Sequence, residues 1–335
     1  MKILLRLLIL VVALSAAAAG YVAYQVNQPY KGFGDPVFIE FPHGTSTSAM
    51  ATALADKGVI RNRWVFLAAR AIRRSHLQAG EYKFEKPASA LDIYGRIARG
   101  DIFYVELLVP EGYNMFDIAG AIDRLENKER LPALDSAAFL AAARDPAMIR
   151  DIDPAAQTLE GYLFPNKYRL YRHSTAQQLC RQMTNEFRTR WKALNTKANV
   201  HDTVTLASLV EREARLPEER PRVASVFANR LRTGMKLDCD PTTVYAALLE
   251  NRYSGVIHRS DLDSRNPFNT YQHEGLPPGP IANPGISSIR AALTPDASPY
   301  FYFVARADGS GGHNFSTSLS EHAAAVAQYQ RALHK

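Results

Sequence analysis

From Leu7 to Val26 the chain runs for twenty residues without a charge (LLILVVALSAAAAGYVAYQV). At about 1.5 Å per residue, a helix of that length spans a hydrocarbon core of roughly 30 Å. Lys2 and Arg6 precede the run, and Asp35 and Glu40 follow it. The bias of positive charge toward the cytoplasm therefore predicts a cytoplasmic tip and an extracytoplasmic body after Val26. The competing reading is a cleaved signal peptide, because Ala17, Ala18 and Ala19 offer small residues for cleavage. The apolar run continues past them through Tyr21, Val22 and Tyr24, which favours a retained anchor. Either way the body lies outside the cytoplasm.

That body is large enough to fold. Of 335 residues, 47% are hydrophobic and 22% charged, a balance that excludes wholesale disorder. The net charge of +7 suits an anionic partner. Its basic clusters are short (Arg73–Arg74, Arg230 with Arg232) and lack interleaved aromatics, so nucleic acid is not expected. Two cysteines, Cys180 and Cys239, exclude a disulfide scaffold and leave open whether they pair.

Residues 27 to 36 (NQPYKGFGDP) read as a linker. A strand from Val37 to Phe41, a turn at Pro42–Ser46 and a helix from Thr47 to Lys57 follow. The same unit recurs as Tyr104–Val109, Pro110–Asn114 and a helix from Met115 to Leu125, with Pro42/Pro110 and Gly44/Gly112 at one offset. Between the copies, helices at Trp64–Arg73 and Ala90–Arg99 flank a strand at Tyr82–Phe84. Helical patterns then dominate: Ser136–Arg144, Thr175–Leu194, Thr203–Ala214 and Glu219–Thr233. Residues 262 to 289 are rich in Pro, Gly and Asn, and a loop that long inside a folded body usually serves a site. A β-prone run (Tyr300–Ala305) and a helix from Ser320 complete the chain. The fold class is α+β: an N-terminal transmembrane helix, a small α+β module, then a mixed, helix-rich domain.

Three groups of residues could carry chemistry. Glu160 sits among Leu159, Tyr162, Leu163 and Phe164, where an apolar setting would raise its pKa toward general-acid range. Pairing with Lys167 or Arg169 is an equal alternative. Glu213 falls on the stripe of Leu206, Leu209 and Val210, so it points inward and needs a partner; Arg230 is a candidate, while Glu211 reads as exposed. A buried ion pair outweighs a catalytic role there. Asp238, Asp240, Thr242 and Tyr245, with Asn266, Asn269, Thr270 and Tyr271, mix short polar and aromatic side chains on loops, which suits a sugar or simply makes turns. No zinc-protease, serine-hydrolase, P-loop or dinucleotide motif occurs, so no cofactor or metal is expected and acid–base work on a carboxyl remains.

Five blocks together resemble the YceG-like endolytic murein transglycosylases: LEGYLFPNKY (159–168), LASLVEREA (206–214), VASVFANRLRTGMKLDCDPTTVYA (223–246), NPFNTYQHEGLPPGPIANPG (266–285) and SPYFYFVARADGSGGHNFSTSLSEH (298–322). The resemblance implies a lyase of the bacterial inner membrane with its catalytic domain in the periplasm. It would cleave MurNAc–GlcNAc β-1,4 bonds of nascent peptidoglycan, leave 1,6-anhydroMurNAc ends and terminate strand elongation beside the peptidoglycan synthases. It puts the catalytic glutamate at Glu160; Glu213, Asp240, Thr242, Asn269, Tyr271 and His313 are expected beside it as substrate-binding or supporting residues. It also divides the chain into an anchor (1–26), a linker (27–36), a LysM-like module (37–105) and a catalytic domain (106–335). A non-catalytic glycan-binding scaffold, or a hydrolytic muramidase using Glu213 or Asp240 as second carboxylate, are the competing expectations.

Overall fold

The apolar run folds as one helix, α1 (Lys2–Asn27), whose 18-residue apolar window has no part buried within the protein. A computed structural model describes residues 2–129 and 131–333 and divides at Tyr104/Val105 into two units.

In the first unit, β1 (Val37–Phe41), α2 (Thr47–Asp56), α3 (Arg63–Arg73), β2 (Gly80–Phe84) and α4 (Ala90–Arg99) follow α1. Each helix begins where a side chain can take up its free N–H groups. The Ser46 hydroxyl accepts from Ala49 N–H at 3.2 Å, Asn62 accepts from Trp64 and Val65, and Ser89 and Asp92 form a reciprocal capping box. Gly100, at φ +70°, closes α4 in the left-handed conformation. β1 and β2 pair antiparallel from Val37↔Phe84 to Phe41↔Gly80. Their inward residues Phe41 and Tyr82 meet Leu54, Phe66, Ile93 and Tyr94 in one core.

The second unit opens with β3 (Val105–Leu108) and α5 (Met115–Glu129), which repeat the strand, glycine turn and helix of the first. Gly44 and Gly112 share positive φ, +86° and +79°, which accounts for glycine in both copies. Next come α6 (Ser136–Ala143), β4 (Lys167–Leu170), α7 (Ala176–Ala193), α8 (Val200–Glu213) and α9 (Arg220–Arg232). Then follow α10 (Asp240–Leu249), α11 (Arg259–Leu262), an irregular stretch over 263–285, α12 (Ile286–Leu293), β5 (Tyr302–Ala305), β6 (His313–Ser316) and α13 (Leu319–Leu333). β3 pairs with β4 and β5 with β6, both antiparallel. Leu209 and Val210 of α8 pack with Val223 and Phe227 of α9, Tyr245 of α10, and Ile281.

Five elements differ from the sequence reading. Asp240–Leu249 is a helix and not loop, α11 and α12 are helices where none was expected, α12 starting within the stretch 262–289 read as loop, and β4 and β6 add strands. β4 and β6 exist because a partner strand lies alongside, a condition no short window carries. The expected helix at Met115–Leu125 continues to Glu129.

Phe66 has no exposed surface. Its replacement by Ala is expected to cost about 3–5 kcal/mol, read by hydrogen exchange as faster exchange of the amides of α2, α3 and α4.

Candidate active site

Two glutamates expected to be inward-facing are both desolvated, but in different ways. Glu160 is 1% exposed. Its Oε2 accepts from Met115 N–H at 2.9 Å, its Oε1 from Asn283 Nδ2 at 2.8 Å, and the Tyr245 hydroxyl also donates to it. Met115 is the first residue of α5, so the carboxyl caps the positive end of that helix from outside. Asn283, itself fully buried, uses its Oδ1 to accept from Gly161 and Leu163 N–H and its Nδ2 to reach Tyr113 O. Gly161 stands at φ +87°, and a Cβ there would lie 2.5 Å from Pro280 and 2.8 Å from Val204. Glu160 and Asn283 thus tie three segments into one knot: the turn after Leu159, the start of α5, and the Pro/Gly-rich stretch. Loss of solvent pushes the Glu160 carboxyl up to about 8 against the three hydrogen bonds that favour its ionised form.

Glu213 ends α8 on the wall of a cavity of about 480 Å³. The residue is partly exposed, and it faces into that cavity. Burial raises its pKa above the ordinary value. The Cys239 thiol, donating to Oε1 at 3.2 Å, opposes that rise; Asp240 adds to it, and His313 and Arg212 oppose it more weakly. Across the cavity stand Asp240, Tyr271, Arg230, Tyr302 and His313. The Tyr271 hydroxyl donates to Asp240 Oδ1 at 2.6 Å. Arg230 lies over the Tyr302 ring at 5.1 Å, and His322 stacks on the same ring at 5.2 Å. His313 Nδ1 meets Glu219 Oε2 at 2.8 Å, and a carboxylate there can only accept, which puts a hydrogen on Nδ1. Nε2 has no hydrogen-bond partner among the described residues.

Of the expected site residues, Glu213, Asp240, Tyr271 and His313 therefore share one cavity. Thr242 and Asn269 do not line it. Thr242 is buried at the start of α10, bonded to Cys239 O at 2.6 Å and to the Thr270 hydroxyl. Buried Asn269 donates to the carbonyls of Asp261, Leu262 and Ser264 and accepts from Thr243, bracing the loop. Glu160 meets the Pro/Gly-rich stretch through Asn283 in the interior, a contact that leaves its carboxyl buried.

The pairings also differ from expectation. Glu213 bonds to Cys239, whereas Arg230 goes to Asp238 at 3.3 Å and to backbone carbonyls including Phe301 O. Glu211 is not on an exposed face: its side chain pairs with Arg220 at 2.9 Å and accepts from Gly285 N–H. Both cysteines are free and buried. Cys239, Glu219 and Asn283 were missed, since each acts through a partner remote in sequence, 123 residues away for Asn283 and Glu160.

The family model for YceG-like proteins matches residues 39–328. The chain belongs to the YceG-like family. Among its relatives, the endolytic murein transglycosylase of Bacillus subtilis is 34% identical over 88% of this chain and 84% of its own length. The endolytic murein transglycosylase of Streptococcus pneumoniae is 27% identical over 86% of this chain and 58% of its own, longer sequence. A solved YceG-like protein from Listeria monocytogenes superposes with a TM-score of 0.56 at 32% identity, covering 87% of this chain and 99% of that one. The family's mixed α+β architecture is thus shared by this chain.

The Glu160 knot has a pH signature. The folded chain holds this proton up to about pH 8, whereas the unfolded chain releases it near the ordinary value of 4.5. Unfolding releases a proton between these limits, so this group's contribution to stability falls as pH rises from about 5 to 8. Glu160→Gln removes the titration but turns an amide NH₂ toward a donor, at about 1–3 kcal/mol. Urea midpoints at pH 5.5 and 8 are expected to show the variant less stable, with the gap to the parent chain narrowing at the higher pH.

Proposed function

We propose that this chain is an endolytic murein transglycosylase, a lyase acting on peptidoglycan glycan strands, with Glu213 as the acid and then the base. The observation that carries the assignment of roles is the Glu213 carboxyl: desolvation raises its affinity for a proton, and it lines a cavity walled by Asp240, Tyr271 and Tyr302. The names of the relatives supply the substrate class. Aromatic faces with hydroxyl and carboxyl groups at their edges suit a saccharide, whose C–H faces stack while its hydroxyls hydrogen-bond.

Protonated Glu213 donates to the glycosidic oxygen as an oxocarbenium-like charge develops at C1 of the muramic residue. The resulting carboxylate then removes the proton from the C6 hydroxyl as that oxygen closes on C1, giving the 1,6-anhydro end. One carboxyl serves both steps, no water is consumed, and the proton returns to Glu213. Asp240 in the same cavity favours a second reading, hydrolysis by two carboxylates, which would yield reducing ends.

Glu160, by contrast, acts here through structure: its bonds to Met115 and Asn283 hold α5 and the Pro/Gly-rich stretch around the site. Helix α1 tethers the enzyme to the bacterial inner membrane, with both units on the periplasmic side. The first unit, with its own core, serves as a LysM-like module that positions glycan. Cutting nascent strands at the membrane surface beside the peptidoglycan synthases would terminate their elongation.

Mass spectrometry of digested, defined glycan strands tests these roles. The parent chain is expected to give 1,6-anhydro products, and Glu213→Gln to lower the rate by about 10²–10⁴-fold while remaining folded. Retained activity in Glu213→Gln, with complete loss in a folded Glu160→Gln, would return the acid to Glu160. Reducing-end products would favour the hydrolytic reading, and no cleavage by the parent chain would favour a scaffold.

Cys239 tunes the acid. Cys239→Ala removes a donor that favours ionised Glu213, so the alkaline limb of the pH–rate profile is expected to move up. Cys239→Ser, a stronger donor, is expected to move it down.

A further inference from the structure

Residues 57 to 80 carry Lys57, Arg61, Arg63, Arg70, Arg73 and Arg74 and not one acidic residue. Its helical part is α3, which buries Phe66 and Ala69 in the first unit's core and leaves Arg63, Trp64, Arg70, Ile72 and Arg73 exposed. Lys57, Arg61 and Arg74, just outside the helix, are exposed as well. Two of the exposed side chains are large and apolar, Trp64 at 65% and Ile72 at 55%. The Arg63 guanidinium covers the Trp64 ring at 4.6 Å. Bulk water gives no reason to hold a tryptophan and an isoleucine among arginines. A bilayer surface does, since indole rings settle at headgroup level and guanidinium groups bind phosphate.

The position of α3 makes this specific. Trp64, Arg61 and Val65 form a pocket of about 350 Å³ with Tyr21, Val22, Gln25 and Val26, the outward end of α1. The α1 helix is long and apolar enough to span the bilayer, and Tyr21 and Tyr24 mark its outer interfacial end. A tryptophan packed at the same level as those tyrosines sits where the headgroups begin. Continuity with the span and complementary charge thus name the occupant.

We infer that α3 lies on the outer face of the membrane that α1 crosses, with Trp64 and Ile72 entering the interface and the surrounding arginines binding anionic lipid headgroups. This rests on α1 being a retained anchor and is independent of the catalytic roles given to Glu213 and Glu160. The contact would hold the first unit flat against the bilayer and fix how far glycan must be from the membrane to reach it. Attraction to the headgroups would weaken with salt, because exposed charges are screened within about 8–10 Å at physiological ionic strength.

The experiment uses the full chain in nanodiscs, with Trp191→Phe so that Trp64 is the sole tryptophan of the original two. Lipids brominated near the carbonyl end of the acyl chain report contact by quenching. In discs containing about one-third phosphatidylglycerol, Trp64 emission is expected to be quenched at least two-fold more than in phosphatidylcholine discs. Replacing Arg63, Arg70, Arg73 and Arg74 together by Glu is expected to abolish that difference. Equal quenching in both lipids, or in the variant and its parent, would overturn the proposal. So would a Trp64 response to soluble anionic stem peptides matching the response to lipid, which would assign the patch to the polymer. Failure of the chain to co-elute with discs would remove the anchor and this contact together. Glycan cleavage by the same preparation is read separately: its loss alone would strike at the enzymatic reading and leave the lipid contact standing.

Discussion

A fully buried asparagine makes the second unit one object. Asn283 has two donors and a carbonyl oxygen, and all of them are engaged: Gly161 and Leu163 on one side, Tyr113 and Glu160 on the other. No regular secondary structure joins those segments, so these side-chain bonds, with the backbone pairs Gly112 N–H to Asn283 O and Asn283 N–H to Tyr113 O, satisfy their backbone groups. Glu160 completes the arrangement by occupying the N–H end of α5. The Gly161 backbone can approach Pro280 and Val204 because it carries no Cβ. Around this knot the stretch 263–285 is further fixed by His201 at Pro278 O and by Ser208 at Ile281 N–H. A loop of that length holds one shape because it is nailed down at several points.

The two glutamates show how environment sets role. Burial lifts both carboxyl groups above the usual range. Glu160 meets three donors and almost no solvent. Glu213 meets a thiol, a neighbouring carboxyl and an open cavity. Proton affinity alone does not distinguish a catalytic acid from a structural one; access does.

Much of the local structure was readable from residues. The turn ending at Ser46 announced the start of α2, and the paired glycines at 44 and 112 announced a repeated turn. The β4 and β6 strands were not readable, because four residues become a strand only when a partner lies alongside. The same limit applied at the site. The apolar neighbours of Glu160 along the chain correctly signalled desolvation but carried no information on whether the pocket was sealed. The stripe of Leu206, Leu209 and Val210 turned Glu213 inward as read, while its thiol partner lay 26 residues away and could not be named. Family resemblance identified the blocks; only the fold separated the residues that line the cavity from those that brace it.

One wall of the cavity is a single hairpin, β5 with β6, leaning on α9 and α13. A lone two-stranded ribbon is a marginal structure in water, and the β5 side chains here are only partly covered. The opposite wall, the end of α8 and the start of α10, belongs to the unit's main core. The cleft therefore has one stiff jaw, which carries Glu213, and one compliant jaw, which carries Tyr302 and His313. Such an asymmetry lets one side of the cleft shift around a ligand while the Glu213 carboxyl keeps its place.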